Sequence, residues 1–323
     1  MYHWIKLSDL TIRSLTTVIS LSLSILILTM CQNKNTTPSA SSDSEKIAFD
    51  IEGHRGCRGL YPENTLPAFQ KALELRVNTL ELDLAVSADK QLVVSHEPYF
   101  RSGLSIDPDG NPVTKEDELN HNIYKMDYER VKQYDVGSLS DERYPERENI
   151  KTFKPLFSSV VNKAQQYAFN FGIEEPDYNI EIKRKPEFDG KFHPSGMEFA
   201  TLVLDEVDRL NIQDKTIIQS FDIESLQIVK AKNPYIRLAL LIENEKSVAD
   251  NITMLGIKPD IYSCYFKLLK KEDITYCHDK GILVIPWTVN EVSDMKAMID
   301  LGVDGLISDY PDRAISLLSL IHI

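Results

Sequence analysis

Seven side chains of this 323-residue chain stand where they could move protons or hold a cation: His54 and Arg55 in "GHRG", Glu81 and Asp83 in "ELDL", His96 in "LVVSHEP", and Glu181 and Lys183 in "IEIK". Each group lies in or just beyond a short apolar run with the composition of a strand. Side chains at i and i+2 of a strand share a face. Glu81 and Asp83 are therefore neighbours, Glu181 and Lys183 are neighbours, and Leu80, Leu82 and Leu84 take the opposite face of their strand. Two carboxylates spaced ~7 Å along a buried strand are costly without a compensating cation. Glu81, Asp83 and Glu181 offer only hard oxygen donors, with no thiolate or clustered imidazole, so the set suits Mg²⁺ or Ca²⁺ better than zinc. His54 and His96 supply imidazoles, whose ordinary pKa near neutrality fits both acid and base work.

Taken singly, each of these residues has a plainer explanation. Glu-x-Asp can be a salt-bridged rim, His54 a core histidine and Lys183 a surface lysine with its stem laid on apolar neighbours. What separates the readings is whether one fold gathers them all. Apolar runs at "KIAFDIEGH", "TLELDLAV", "YNIEIK", "TIIQSF", "IRLALLI", "DIYSCYF", "ILVIPWTV" and "GLISDY" alternate with helical patterns such as "NTLPAFQKALEL", "LFSSVVNKAQQYAF", "MEFATLVLDEVDRL", "SLQIVKAK" and "EVSDMKAMIDL". Strands in alternation with helices predict an α/β fold, and eight of them predict a (β/α)8 TIM barrel, whose chemistry sits at the C-terminal ends of its strands. "LVVSHEP" reads as an apolar extension of the second strand, Asn64 as a helix cap, and Gly302 as a C-terminal cap. The stretch from about 99 to 154 is polar and lacks apolar periodicity. It reads as an insertion after the second strand region, which either shapes access to the site or is a solvated ornament.

The formal charge of -13 and pI near 5.1 disfavour a nucleic-acid partner, so an anionic substrate must be drawn by local charge or by a cation. Residues 1–31 look like a signal peptide: Lys6 and Arg13 precede an uncharged run, Thr16 to Met30, that is short for a bilayer span and ends at Cys31. "LTMC" resembles a bacterial lipoprotein box, with Met30 where a small residue is usual. The expectation is lipidation of Cys31 and a place in the bacterial cell envelope, against a plain signal anchor. Residues 32–46 read as a flexible linker and 47–323 as the barrel. Cys57, Cys264 and Cys277 show no metal or redox spacing and read as buried free thiols.

"GHRGCRGLYPENTLPAF", "ELDLAVSADKQLVVSHE", "NIEIK", "IIQSF", "PWTVN" and "GVDGLISDYP", spanning about Gly53 to Pro311, resemble the successive motifs of the glycerophosphodiester phosphodiesterases. The resemblance implies metal-dependent hydrolysis of a glycerophosphodiester to glycerol 3-phosphate and an alcohol. It implies His54 and His96 as the acid/base pair, Glu81, Asp83 and Glu181 as ligands of the divalent cation, Arg55 and Lys183 as phosphate contacts, and Trp287 as a wall of the alcohol pocket. Glu97 departs from the family, which commonly has Asp there. Two other functions remain compatible with the same residues: cleavage of lysophospholipids, and binding of a phosphorylated ligand without turnover. The attacking oxygen could be water or the substrate's own neighbouring hydroxyl. Head-group preference, the physiological cation and oligomeric state leave no trace in the sequence.

Overall fold

In the computed structural model, which describes residues 49–321, every one of the eight apolar runs contributes a strand. These are β1 (Asp50–Gly53), β2 (Thr79–Val86), β4 (Asp177–Ile182), β5 (Thr216–Ser220), β6 (Arg237–Ile242), β7 (Ile261–Cys264), β8 (Leu283–Val284) and β9 (Gly305–Ser308), with a further short strand, β3 (Leu92–Val94), after β2. The eight run parallel in the order β8-β7-β6-β5-β4-β2-β1-β9. Backbone bonds from Asp304 N to Val284 O (2.9 Å), Ile307 N to Pro286 O (3.0 Å) and Val289 N to Ile307 O (3.0 Å) join the two ends. The result is a nearly closed TIM barrel, as the alternation predicts. β8 is shorter than "ILVIPWTV" suggests because Pro286 has no N–H to give to the ladder. The expectations for residues 1–46, Cys31 included, lie outside the described residues.

Helices α1 (Leu66–Leu75), α3 (Phe157–Phe171), α4 (Gly196–Arg209), α5 (Ile223–Lys232), α6 (Val248–Leu255), α7 (Lys271–His278), α8 (Val292–Leu301) and α9 (Pro311–Ile321) belong to the barrel; α2 (Tyr128–Val131) is a single turn in the segment between β3 and α3. Leu80, Leu82 and Leu84 are fully buried with Phe69, Phe157 and Phe199, so the outward face of β2 supports the main core. Gly302 ends α8 in the left-handed conformation and donates its N–H to Met298 and Ile299. Cys57, Cys264 and Cys277 are buried free thiols.

Three expectations change. "LVV" is not an extension of β2 but a separate strand, β3, antiparallel to it with Leu84 opposite Val94. The hairpin rises past the end of β2 and descends, so that Ser95 N bonds to Asp83 O at 2.9 Å and His96 returns beside the acidic strand end. The N-cap of α1 is Thr65 rather than Asn64, whose side chain is engaged elsewhere. The polar segment from 99 onward also carries a core of its own: Phe100, Val113, Ile123, Val131, Tyr134 and Val136 are buried against Ala85 and Val93, with the Phe100 and Tyr134 rings stacked 3.7 Å apart. Its apolar residues are spaced by turns rather than by helix or strand period, so the sequence shows no periodic apolar face there.

Candidate active site

The loop between β1 and α1 puts His54 and Arg55 over the mouth of the bore, and its tightness depends on two glycines. A Cβ on Gly53 would lie 2.2 Å from Gly56 O, and one on Gly56, at φ +86, would lie 2.8 Å from Ala68. Only glycine lets the loop lie this close to α1. Arg55 itself is left-handed (φ 52), and its backbone N–H donates to Glu81 Oε2 at 2.8 Å.

His54 and His96 are built alike. His54 Nδ1 is 2.6 Å from Asp309 Oδ1, and His96 Nδ1 is 2.7 Å from Glu97 Oε2. An ionised carboxylate can only accept, so Nδ1 carries the proton on both rings and Nε2 keeps its lone pair. His54 Nε2 lies 3.9 Å from Glu81 Oε2, and His96 Nε2 accepts from Lys183 Nζ at 2.8 Å. Burial, reinforced by Arg58, lowers the His54 pKa to about 4 against the pull of Asp309. Burial and then Arg55 lower that of His96 too. Asp309 stays ionised although buried, because His54 and Arg58 outweigh its desolvation. Arg58 clamps it through Nε (2.8 Å) and Nη2 (3.1 Å), Asn290 Nδ2 donates to it at 2.8 Å, and the Tyr144 hydroxyl reaches it at 3.3 Å.

Opposite the imidazoles, one oxygen each from Glu81, Asp83 and Glu181 lies within 4.8 Å of the other two, and all three residues are buried. Burial and the nearby Asp83 charge push Glu81 above the usual carboxylate range; burial lifts Glu181 to about 7 despite Lys183. Asp83 goes the other way. Burial would raise it, but Arg55, His96 and Lys183 together hold it ionised. Glu81 is fixed by Gln219 Nε2 at 2.7 Å as well as by Arg55 N, and Asp83 Oδ2 accepts from Asn64 Nδ2 at 2.8 Å. Asp83 Oδ1 is buried with no hydrogen-bond partner. A pre-oriented oxygen cluster with one orphaned carboxylate atom fits a hard divalent cation. Lys183 Nζ stands 3.1 Å from Glu181 and 3.9 Å from Asp83.

His54, Arg55, Glu81, His96, Glu181, Lys183 and Trp287 all line one cavity of about 300 Å³ at the C-terminal end of the strands, and an Asp83 oxygen lies within 4.8 Å of oxygens of Glu81 and Glu181. The barrel thus brings the eight expected site residues together. Arg55 is more heavily committed than expected: Nη1 is 3.1 Å from both oxygens of Glu63, and Nε is 3.4 Å from Asp83.

The glycerophosphoryl diester phosphodiesterase family model matches residues 54–313, the span that holds all of these groups. The chain belongs to that family. Among sequence relatives, a glycerophosphodiester phosphodiesterase from Caldanaerobacter subterraneus subsp. tengcongensis is 29% identical over 269 residues, covering 83% of this chain and 96% of that protein. An uncharacterized Bacillus subtilis protein, YqiK, is 30% identical over 274 residues, 83% of this chain and 98% of that one. A family structure from Silicibacter pomeroyi superposes with a TM-score of 0.77 at 27% identity, covering 86% of this chain and 95% of that chain. An Oleispira antarctica phosphodiesterase solved with the product sn-glycerol-3-phosphate shares the fold, with a TM-score of 0.66 at 22% identity over 84% and 96% of the two chains. Membership makes the chain a phosphodiesterase by class.

Asp309, Arg58 and Gln219 are partners without a place in the sequence reading, and Asn64 and Glu97 enter it only as a helix cap and as a departure from the family pattern. Two had a signal. "GLISDY" and "TIIQSF" are strand ends on the catalytic face, and the rule that selects Glu181 selects Asp309 and Gln219 as well.

Proposed function

We propose that this chain hydrolyses glycerophosphodiesters to glycerol 3-phosphate and an alcohol, with a divalent cation, Mg²⁺ or Ca²⁺, held by Glu81, Asp83 and Glu181. The observation that carries the reading is the pairing of two carboxylate-backed imidazoles with an oxygen-only acidic cluster around one cavity. The cation, when bound, supplies positive charge to the phosphoryl oxygens. The chain's own groups do the remaining work. One imidazole Nε2 takes the proton of the attacking oxygen, which comes from water, or from the glycerol hydroxyl next to the phosphate with water opening the cyclic ester afterwards. The other, once it has become an imidazolium protonated at Nε2 beside the bound anionic diester, gives that proton to the leaving alcohol as its bond to phosphorus breaks and returns to the neutral ring. Asp309 and Glu97 hold the two rings in the tautomer that points Nε2 at the substrate, the role a carboxylate plays behind any working histidine. Lys183 and Arg55 offset the charge of the diester, and Trp287 walls the cavity.

The same reading places the protein in a bacterial envelope, anchored through Cys31; its support is the run Thr16 to Met30 before "C". Intact mass after membrane extraction checks it, since an uncleaved and unmodified N-terminus rejects the anchor.

The deciding experiment is release of glycerol 3-phosphate from glycerophosphocholine, abolished by EDTA and restored by Mg²⁺ or Ca²⁺. Activity confined to lysophospholipids, or metal-dependent binding with no product, would replace this function with one of the other two.

A further inference from the structure

A second cavity of about 350 Å³ adjoins the first and shares His96, Glu181, Lys183, Phe221 and Glu243 with it. The shared wall holds Lys183, one of the two groups assigned above to the phosphate, together with His96 and Glu181, and a phosphodiester has two arms. With phosphorus at the junction, one arm would lie under Trp287, which then faces the glycerol rather than the leaving alcohol, and the other would enter the second chamber. That chamber draws Tyr99 from beyond the β3 hairpin and Phe188 from the turn after β4, and Phe221 stands between the two cavities, 45% exposed and edge-on to Trp287 at 5.6 Å.

The charges around it sort themselves. Arg184 is neutralised by Asp189 (2.7 Å), Asp222 (2.9 Å) and Glu224 (2.6 Å), Glu97 is bonded to His96, and His193 Nε2 accepts from Lys185 N. Glu243 is exposed and, among the described residues, has no hydrogen bond or ion pair, which leaves a free carboxylate at the junction. Among the described residues Lys185 is the one cation of this chamber without an acidic partner, and its ammonium rests 5.7 Å over the face of Phe188. The ring is thus already serving as a seat for an ammonium group.

We propose that the second chamber receives the leaving alcohol and selects one that carries an ammonium group, held between the Glu243 carboxylate and the faces of Phe188, Phe221 and Tyr99. This rests on the phosphodiesterase function proposed above and adds to it a preference for zwitterionic over neutral diesters. Aromatic faces and one carboxylate attract a cation of any degree of methylation, whereas a neutral polyol gains nothing from the ring quadrupoles. Lys185 competes for the same ring, so its removal should help a cationic substrate.

The test compares kcat/KM of the metal-loaded enzyme for glycerophosphocholine and for glycerophosphoglycerol. The wild type should favour the choline diester, and Glu243→Gln should lower the ratio of the two values about threefold to fivefold, the scale of one solvent-exposed charge contact. Lys185→Met should raise that ratio by roughly twofold to threefold. A wild type that does not discriminate, or a Glu243→Gln enzyme with an unchanged ratio, overturns the proposal while leaving hydrolysis itself intact. Hydrolysis of neither diester would instead sink the phosphodiesterase function. Titration of choline against its uncharged carbon isostere then decides the chamber alone: tighter binding of choline, weakened in Glu243→Gln, upholds the site, and equal binding rejects it.

Discussion

Around the bore of the barrel, Ile217, Ala239, Ile261 and Ile307 on β5, β6, β7 and β9, and Ile285 just after β8, form a buried apolar cluster, with Leu283 and Trp287 packed against it. On the other side, β1, β2 and β4 turn Glu52, Thr79, Glu81, Asp83, Asn179 and Glu181 inward, all buried. The outer faces of both sets of strands contribute to the same continuous core, which shows no such division. Hydrocarbon burial stabilises at roughly 25 cal/mol per Å², and a buried carboxylate without a counter-charge does the reverse. One side of the bore therefore supports the barrel, and the other gathers three buried carboxylates that Lys183 and Arg55 offset only in part, the arrangement a bound cation would complete. Glu52 extends the pattern one layer down: its Oε1 and the Oδ1 of Asn179 are both buried without partners, although Asn179 Nδ2 donates to Glu52 Oε2 at 2.7 Å.

The contrast can be broken first at the cation. Asp83→Asn should weaken Mg²⁺ or Ca²⁺ binding in a calorimetric titration and lower kcat/KM by at least ~10³-fold, equivalent to several kcal/mol of lost charge stabilisation. Next come the imidazoles: His54→Ala or His96→Ala should cost at least ~10²-fold in turnover with an unchanged circular dichroism spectrum. A variant with full activity would remove that histidine from the chemistry. On the apolar side the pattern should invert. Ile261→Val should cost about 1 kcal/mol of stability, seen as a Tm lower by roughly 2–4 °C, with kcat/KM within about twofold of wild type. A large loss of activity there would mean that the two halves are not separable.

An effect of the same small size, and of opposite sign, concerns Glu52. Burial, and then the charge of Asp50, raise its pKa well above the usual carboxylate range. A carboxyl raised in the folded state is protonated more readily there than in the unfolded chain. It favours folding at low pH, and that contribution is lost as the pH rises through the folded-state pKa. Glu52→Gln removes the ionised form and lets an amide N–H face Asn179 Oδ1. The variant should melt a few degrees higher than wild type at pH 8, of the order of 1 kcal/mol, with the advantage shrinking as the pH falls. Equal melting temperatures across that range would show that Glu52 carries no such penalty.

Much of this division is legible in the sequence. The Glu-x-Asp and Glu-x-Lys pairs alternate with leucine and isoleucine, and that period of two alone sends Glu81, Asp83 and Glu181 inward and Leu80 and Leu82 outward. The same rule misses what depends on long-range approach. Asn64 has the residue type and position of a helix cap, yet its side chain turns to Asp83, 19 residues away, and Thr65 takes the cap position. Glu97 looks like a departure from the family pattern, but it bonds to His96 and so supplies the carboxylate that the ring needs. Tyr144 lies in the polar segment after β3, where nothing local points to Asp309, 165 residues on. The hairpin that brings His96 back to the acidic strand end is equally silent, because the apolar run "LVV" looks the same whichever direction it takes.

The most direct measurement is a crystal structure of the protein soaked with Ca²⁺. One ion should be bonded to oxygens of Glu81, Asp83 and Glu181 at about 2.3–2.6 Å, with Asp83 Oδ1 no longer without a partner. Carboxylates still paired only with Lys183, Asn64 and Gln219, and no ion among them in an enzyme whose turnover EDTA abolishes, would contradict it.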